Sequence, residues 1–150
     1  MKSSEPIFLG PAEGAALSVL GTTYTIKVTS AQTGGAFSLI EAVSPPQSGV
    51  PPHVHHREQE TFYILEGTME VRCAGRAFTA AKGATVVLPQ GVPHSYRNPG
   101  AVPAKYLVLV QPAGFEGFFA EAAKLPADRP PDLAQLAAIG QKFGLELLPP

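Results

Sequence analysis

Three of the four histidines fall in one tetrapeptide, His53-Val54-His55-His56, and the fourth, His94, stands alone. A β-strand sends alternate side chains to opposite faces, so His53 and His55 point one way while Val54 and His56 point the other. Two imidazoles then converge. Glu60 has the wrong parity to join them in one unbroken strand, which predicts that the polar run His56-Arg57-Glu58-Gln59 is a turn or bend that resets the register. Beyond it Glu60, Phe62 and Ile64 face inward, and Thr61, Tyr63 and Leu65 outward. His94, entered through the turn Pro89-Gln90-Gly91-Val92-Pro93, adds a third imidazole from a separate strand.

Three neutral imidazoles and one carboxylate form a nitrogen and oxygen donor set suited to a divalent first-row transition metal. The expected ligands are therefore His53, His55, Glu60 and His94, and this set accepts Fe, Mn, Ni, Cu or Zn. Solvated surface histidines, or core histidines that bind nothing, are the competing readings. The parity pair, the spaced Glu60 and the distant His94 together favour the metal, because burying four such groups without an ion or bonded waters would cost several kcal/mol. His56 is assigned to the outer face or to a supporting role behind the ligands, and Glu58 to the solvated turn. Cys73 is read as a small buried apolar residue rather than a nucleophile.

The composition narrows the partners. Apolar residues make up 45% of the 150-residue chain and charged residues 15%, with 11 Lys+Arg against 12 Asp+Glu. A formal charge of -1 leaves no electrostatic footprint for nucleic acid or an anionic bilayer. No apolar run approaches the roughly 20 residues of a membrane span, and Met1 to Pro6 lacks the apolar stretch of a signal peptide. The expectation is a cytoplasmic protein whose partner is a small molecule. One cysteine excludes an internal disulfide and a Cys-x-x-Cys pair. No nucleophile triad, Walker loop or dinucleotide glycine pattern is present.

The elements that must hold these residues are short strands. The 15 glycines and 16 prolines punctuate apolar segments at intervals of about 8 to 12 residues, the spacing of sandwiches and barrels. Ser4 to Gly21 reads as a loose arm with one short strand at Ile7 to Leu9. Strands follow at Tyr24 to Val28 and Ala36 to Val43, joined through a Gly34-Gly35 hairpin turn. Ser44 to Gly49 breaks the pattern, and a loop delivers the chain to Pro51-Pro52-His53. Strands at 60–65, 69–73, 77–79, 85–88, 94–97 and 105–110 continue an antiparallel meander, making about nine in all. After Pro112 the apolar spacing turns helical, with Phe115, Phe118, Phe119 and Ala122 on one face. Pro126 stops that helix. Pro130-Pro131 opens a second, with Leu133, Leu136, Ala137 and Phe143 on its apolar face, and Gly144 ends it. Both faces are expected to pack on the barrel or on a second subunit, with a lid over the barrel mouth as the sharper alternative.

At this level the chain resembles the cupin superfamily, whose motifs read H-x-H-x(3,4)-E-x6-G and G-x5-P-x-G-x2-H-x3-N. The second is matched by Gly83, Pro89, Gly91, His94 and Asn98, and the first by His53, His55, Glu60 and Gly67. One departure stands at the opening, where three residues separate Gly49 from His53 and five are usual. The resemblance spans residues 35–111. It implies an all-β fold, a double-stranded β-helix or jelly-roll barrel, with the metal inside and often a homodimer. The whole chain, 1–150, is then one cupin domain, with the barrel core at about 22–111 and a C-terminal helical extension at about 113–145.

Four protein ligands leave one or two coordination positions open, the minimum for catalysis. Inward residues Phe37, Phe62, Ile64 and Tyr96 are the expected pocket lining, with Met69 and Val71 as further candidates. That lining suits a phenolic, flavonol-like or diketone substrate better than a sugar phosphate. The resemblance to quercetinase-like cupins then implies a dioxygenase that directs dioxygen at an enolised substrate, with Glu60 both ligand and base. Two alternatives remain: an isomerase, decarboxylase or lyase using the ion as a Lewis acid, and a non-catalytic cupin that binds a small ligand. A pocket too narrow for anything but water would favour the last.

Overall fold

The structure, a computed structural model, describes residues 3–149. Its elements in chain order are β1 (Ala15–Val19), β2 (Thr22–Val28), α1 (Ser30–Thr33), β3 (Ser38–Ser44), β4 (Gly49–His55), β5 (Gln59–Glu66), β6 (Thr68–Cys73) and β7 (Arg76–Ala81). Then come β8 (Thr85–Leu88), β9 (His94–Arg97), β10 (Ala104–Gln111), α2 (Glu116–Ala122), α3 (Leu133–Lys142) and β11 (Leu145–Leu147). The strands form two antiparallel sheets, ordered β1-β2-β3-β10-β5-β8 and β11-β4-β9-β6-β7. This is the expected jelly-roll arrangement.

Period-two alternation builds the core. Along β3 and β10 every second residue is buried, and Ile40, Ala42, Tyr106 and Val110 sit at 0% exposure. Phe62 and Ile64 of β5, and Met69 and Val71 of β6, meet them at the same exposure from the two sheets. Asn98 acts as the sequence suggests: its side chain donates to the carbonyls of Ser44 and Val102 and accepts from Gly100 N, tying the turn after β9.

Several boundaries differ from expectation. The arm carries no strand at Ile7 to Leu9, whose side chains are 44%, 88% and 39% exposed. The first strand is β1, turned back onto β2 by Leu20-Gly21, both at positive φ (51° and 82°). A leucine in that backbone region is costly, so the dipeptide carries no hairpin signal. Gly34-Gly35 does not make a two-residue hairpin turn; Gly34, at φ 62°, ends α1 in the left-handed conformation. Pro51 and Pro52 lie inside β4, where pairing with β9 slips between Val50 and His53, so the missing N–H groups fall at an irregularity. The other edge of β4 is covered by β11, a strand the sequence did not reveal.

The C-terminal extension packs on the barrel. Phe115, Phe118, Phe119 and Ala122 are all buried, as the helical spacing required. In α3 the contact is carried by Leu136 and Gly140, while Leu133 is 53% exposed. Pro130-Pro131 precede this helix rather than forming its first turn; Asp132 caps it, its carboxylate accepting from Ala134 N and Gln135 N.

Candidate metal centre

The register reset places Glu60 opposite the histidines. The chain leaves β4 at His55, turns through residues 56–58, and enters β5 in the other sheet, so Glu60 faces His53 and His55 across the barrel interior. His53 and His94 are direct cross-strand partners on β4 and β9, which puts their rings on one face. All four side chains are buried, and one ligand atom from each lies within 4.8 Å of the others.

The outer nitrogens of the rings decide what the inner ones present. His53 Nδ1 donates to Pro51 O at 2.8 Å, and His94 Nδ1 donates to Val92 O at 3.1 Å. A neutral ring whose Nδ1 carries the proton turns a bare Nε2 lone pair inward. His94 Nε2 lies 3.2 Å from Glu60 Oε2. At that distance the nitrogen and the carboxylate oxygen can share a proton or bind one cation between them. His55 Nε2 lies 3.3 Å from the same carboxylate oxygen. The donor set therefore fits a divalent transition ion held by His53, His55, Glu60 and His94.

Without an ion, a proton takes part of that role. Burial, reinforced by the neighbouring His94 and His55, pushes His53 down to about 3. Burial also acts to lower His55, but Glu60 and Glu58 outweigh it and carry the ring up to about 9. Burial alone would raise Glu60, yet His55 and His94 hold its carboxyl well below the usual carboxylate range. Metal uptake would displace a proton from His55, so affinity would rise with pH.

Above the cluster lies a chamber of about 40 Å³, walled by Tyr24, Tyr96, Phe115, Phe118, Phe119 and Leu136 among others. Of the expected lining, Tyr96 is there. Phe62 and Ile64 do face inward but are wholly buried in the core beneath, as are Met69 and Val71, and none of them reaches the chamber. Phe37 is a correction: it precedes β3, half-buried, its backbone bonded to the Thr33 hydroxyl, and lies away from the chamber wall. The aromatic wall comes instead from α2. Phe115 meets His55 edge-on at 4.5 Å between ring centroids, and Phe119 stacks on Tyr24 at 4.2 Å. The two tyrosine hydroxyls lie 3.4 Å apart, and burial pushes Tyr24 up to about 12, so it stays protonated. Beside them a buried chain links Thr22, Ser44 and Tyr106 at 3.0 and 2.9 Å.

Of the two further residues near the ligands, one lies where the sequence put it and one does not. His56 does lie outside, half-exposed and bonded to Glu146 at 2.7 Å. Glu58 is no solvated turn residue: it is 3% exposed, and its Oε1 accepts from His55 Nδ1 at 2.8 Å. The only signal for it was its position three residues after His55, and a turn full of charges hid it.

Comparison with known proteins agrees with this geometry. The cupin-domain family profile matches residues 40–110. The chain is 37% identical over 75 residues to an uncharacterised protein of Methanocaldococcus jannaschii, covering 50% of this chain and 60% of that one. It is 31% identical over 114 residues to the quercetin 2,3-dioxygenase of Bacillus subtilis, covering 76% of this chain and 34% of that enzyme. The chain thus spans less than two thirds of either relative. Among solved structures, KdgF from Halomonas sp. superposes with a TM-score of 0.67 at 18% identity, covering 75% of this chain and 99% of that one. A cupin described as RmlC-like, from Shewanella frigidimarina, gives 0.65 at 17% identity, covering 78% and 99%.

Proposed function

We propose that this chain, which belongs to the cupin family, is a mononuclear-metal dioxygenase acting on a small phenolic, flavonol-like or diketone substrate. The observation that carries the reading is the buried convergence of three imidazoles and one carboxylate: one ligand atom each from His53, His55, Glu60 and His94 lies within 4.8 Å of the others. An ion held by His53, His55, Glu60 and His94 would supply Lewis acidity and, if redox-active, electrons for dioxygen chemistry. Glu60, the one carboxylate inside the chamber, is the candidate base for a substrate hydroxyl or acidic C–H. Phe115, Phe118, Phe119 and Leu136 exclude bulk water from that step.

Size sets a condition on this reading. An apolar cavity of roughly 150 Å³ takes up benzene, whereas the chamber holds about 40 Å³. A ring-bearing substrate therefore enters only as side chains of the C-terminal cap withdraw. A wider vestibule of about 370 Å³ adjoins the chamber and shares Val19, Leu20 and Leu136 with it, so these three form the partition. A chamber this small favours the non-catalytic cupin that binds a small ligand, and a metal-dependent isomerase, decarboxylase or lyase that polarises the carbonyl of a substrate of few atoms is the other catalytic reading. We further read the protein as a homodimer, testable by sedimentation equilibrium.

The deciding experiment combines elemental analysis of protein purified without added metal with oxygen-electrode and product assays on a phenolic and diketone panel. Each of Fe, Mn, Ni and Cu is loaded in turn, in air and under anaerobiosis. Oxygen uptake supports the first catalytic reading and anaerobic turnover the other. Protein that takes up no transition metal, or that loses none on Glu60→Ala and His94→Ala, would overturn both.

A further inference from the structure

The three imidazoles are not held alike. The outer nitrogens of His53 and His94 donate to neutral backbone carbonyls, Pro51 O and Val92 O. The outer nitrogen of His55 donates to a carboxylate, Glu58 Oε1, at 2.8 Å, with both side chains 4% exposed. Nothing in the geometry of the turn makes this contact loose. His55 O accepts from Gly91 N at 2.8 Å and His56 N donates to Gly144 O at 2.8 Å. Gln90 Nε2 and Arg57 Nη1 bind His56 O and Lys142 O at 2.7 and 3.0 Å. The segment carrying Glu58 is thus clamped from both sides, by the turn before β9 and by the end of α3.

A charged acceptor behind an imidazole does two things that a carbonyl does less well. It fixes the proton on Nδ1 and the plane of the ring, and it makes the opposite nitrogen a stronger donor. Low exposure magnifies both effects, because the hydrogen bond to an ionised group is shorter and stronger where water does not compete.

We propose that Glu58 is the positioning residue of the metal centre: it orients His55 through Nδ1 and makes that ring the strongest neutral donor of the three, raising ion affinity and stabilising the higher oxidation state of a redox-active ion. Glu58 touches neither the ligand point nor the chamber, and acts only through His55. The inference rests on the reading that His53, His55, Glu60 and His94 hold an ion, and is independent of which reaction the ion serves.

The test separates charge from shape. Glu58→Gln keeps an acceptor oxygen at the same reach and removes the charge. Zn²⁺ affinity is measured by competition with a chromophoric chelator at neutral pH, and the reduction potential of the iron- or copper-loaded protein by redox titration. The expected result is a 10- to 100-fold weaker Kd, of the order seen when such partners are removed elsewhere, and a potential shifted upward. A lowered melting temperature with unchanged Kd and unchanged potential would mean that Glu58 serves the fold alone, and would overturn the proposal. If Glu58→Gln does not fold, Glu58→Asp, which keeps the charge but shortens the reach by one methylene, is read in the same titrations; affinity equal to wild type would then overturn it. A wild-type protein that binds no Zn²⁺ would instead remove the metal reading itself.

Discussion

Phe115→Ala tests the chamber directly. The Phe115 ring is 4% exposed, lies edge-on to His55 at 4.5 Å, and stacks with Phe118 at 5.0 Å. Truncation removes a benzene-sized ring beside a void of about 40 Å³, bringing the space toward the roughly 150 Å³ at which apolar cavities bind benzene. The stability cost is about 3–5 kcal/mol, the range for buried Phe→Ala. In a chain of this length that lowers the melting temperature by on the order of 10 °C. The space created has the shape of what was lost, so benzene or phenol should refill it. At a ligand concentration of 100 Kd the recovery is about 2.7 kcal/mol, more than half the loss. Differential scanning calorimetry of the variant with and without benzene reads both numbers, and phenol turnover by the metal-loaded variant gives a functional counterpart. A loss under about 1 kcal/mol, or no thermal shift with benzene, would refute the placement of Phe115 as the chamber wall.

Four further outcomes are expected. Leu136→Ala thins the partition between chamber and vestibule, and should speed stripping of the ion by EDTA several-fold; an unchanged rate excludes that route. For the metal-free protein the sign of each titration is fixed. His55, raised to about 9, stabilises below 6.5 and loses that contribution as pH rises toward 9. His53, lowered to about 3, stays neutral when folded, so stability falls as pH drops from 6.5 toward 3, and Glu60 adds to that fall below 4.5. Melting temperatures in EDTA should therefore peak near pH 6.5, and a flat profile would contradict the buried cluster. Gly67→Ala forces a side chain onto φ +75° and brings a Cβ to 2.8 Å from Pro103 O, so it should cost about 2–4 kcal/mol in chemical denaturation. Ser44→Ala leaves the buried Thr22 and Tyr106 hydroxyls without their shared partner, and should cost about 1–3 kcal/mol by the same method.

How far the sequence carried the fold follows from the range of each interaction. Strand parity is a local rule, so it placed His53 and His55 together, reset Glu60 to the inner face, and sorted Phe62 and Ile64 from Tyr63 and Thr61. The turn Pro89 to Pro93 and the Asn98 tie were legible for the same reason, since glycine, proline and asparagine shape the backbone that bears them. Helical spacing marked Phe115, Phe118 and Phe119 as one buried face but was silent on what they cover. That they meet His55 and Tyr24, displacing Phe37 from the expected pocket, depends on where a separate element lands. Glu58 was lost likewise: a charge in a polar turn reads as solvated until two distant segments close over it.

The sequence by itself determined an all-β barrel or sandwich and the four residues that converge, because alternation along strands and the chemistry of turns act within a few residues; the jelly-roll class came from the resemblance of its two motifs to those of cupins. Only the tertiary structure decided how large the chamber is, which helix seals it, and which imidazole has a carboxylate at its back. Those properties arise from packing between segments as far apart as Glu58 and Gly144, and no local pattern records such a distance.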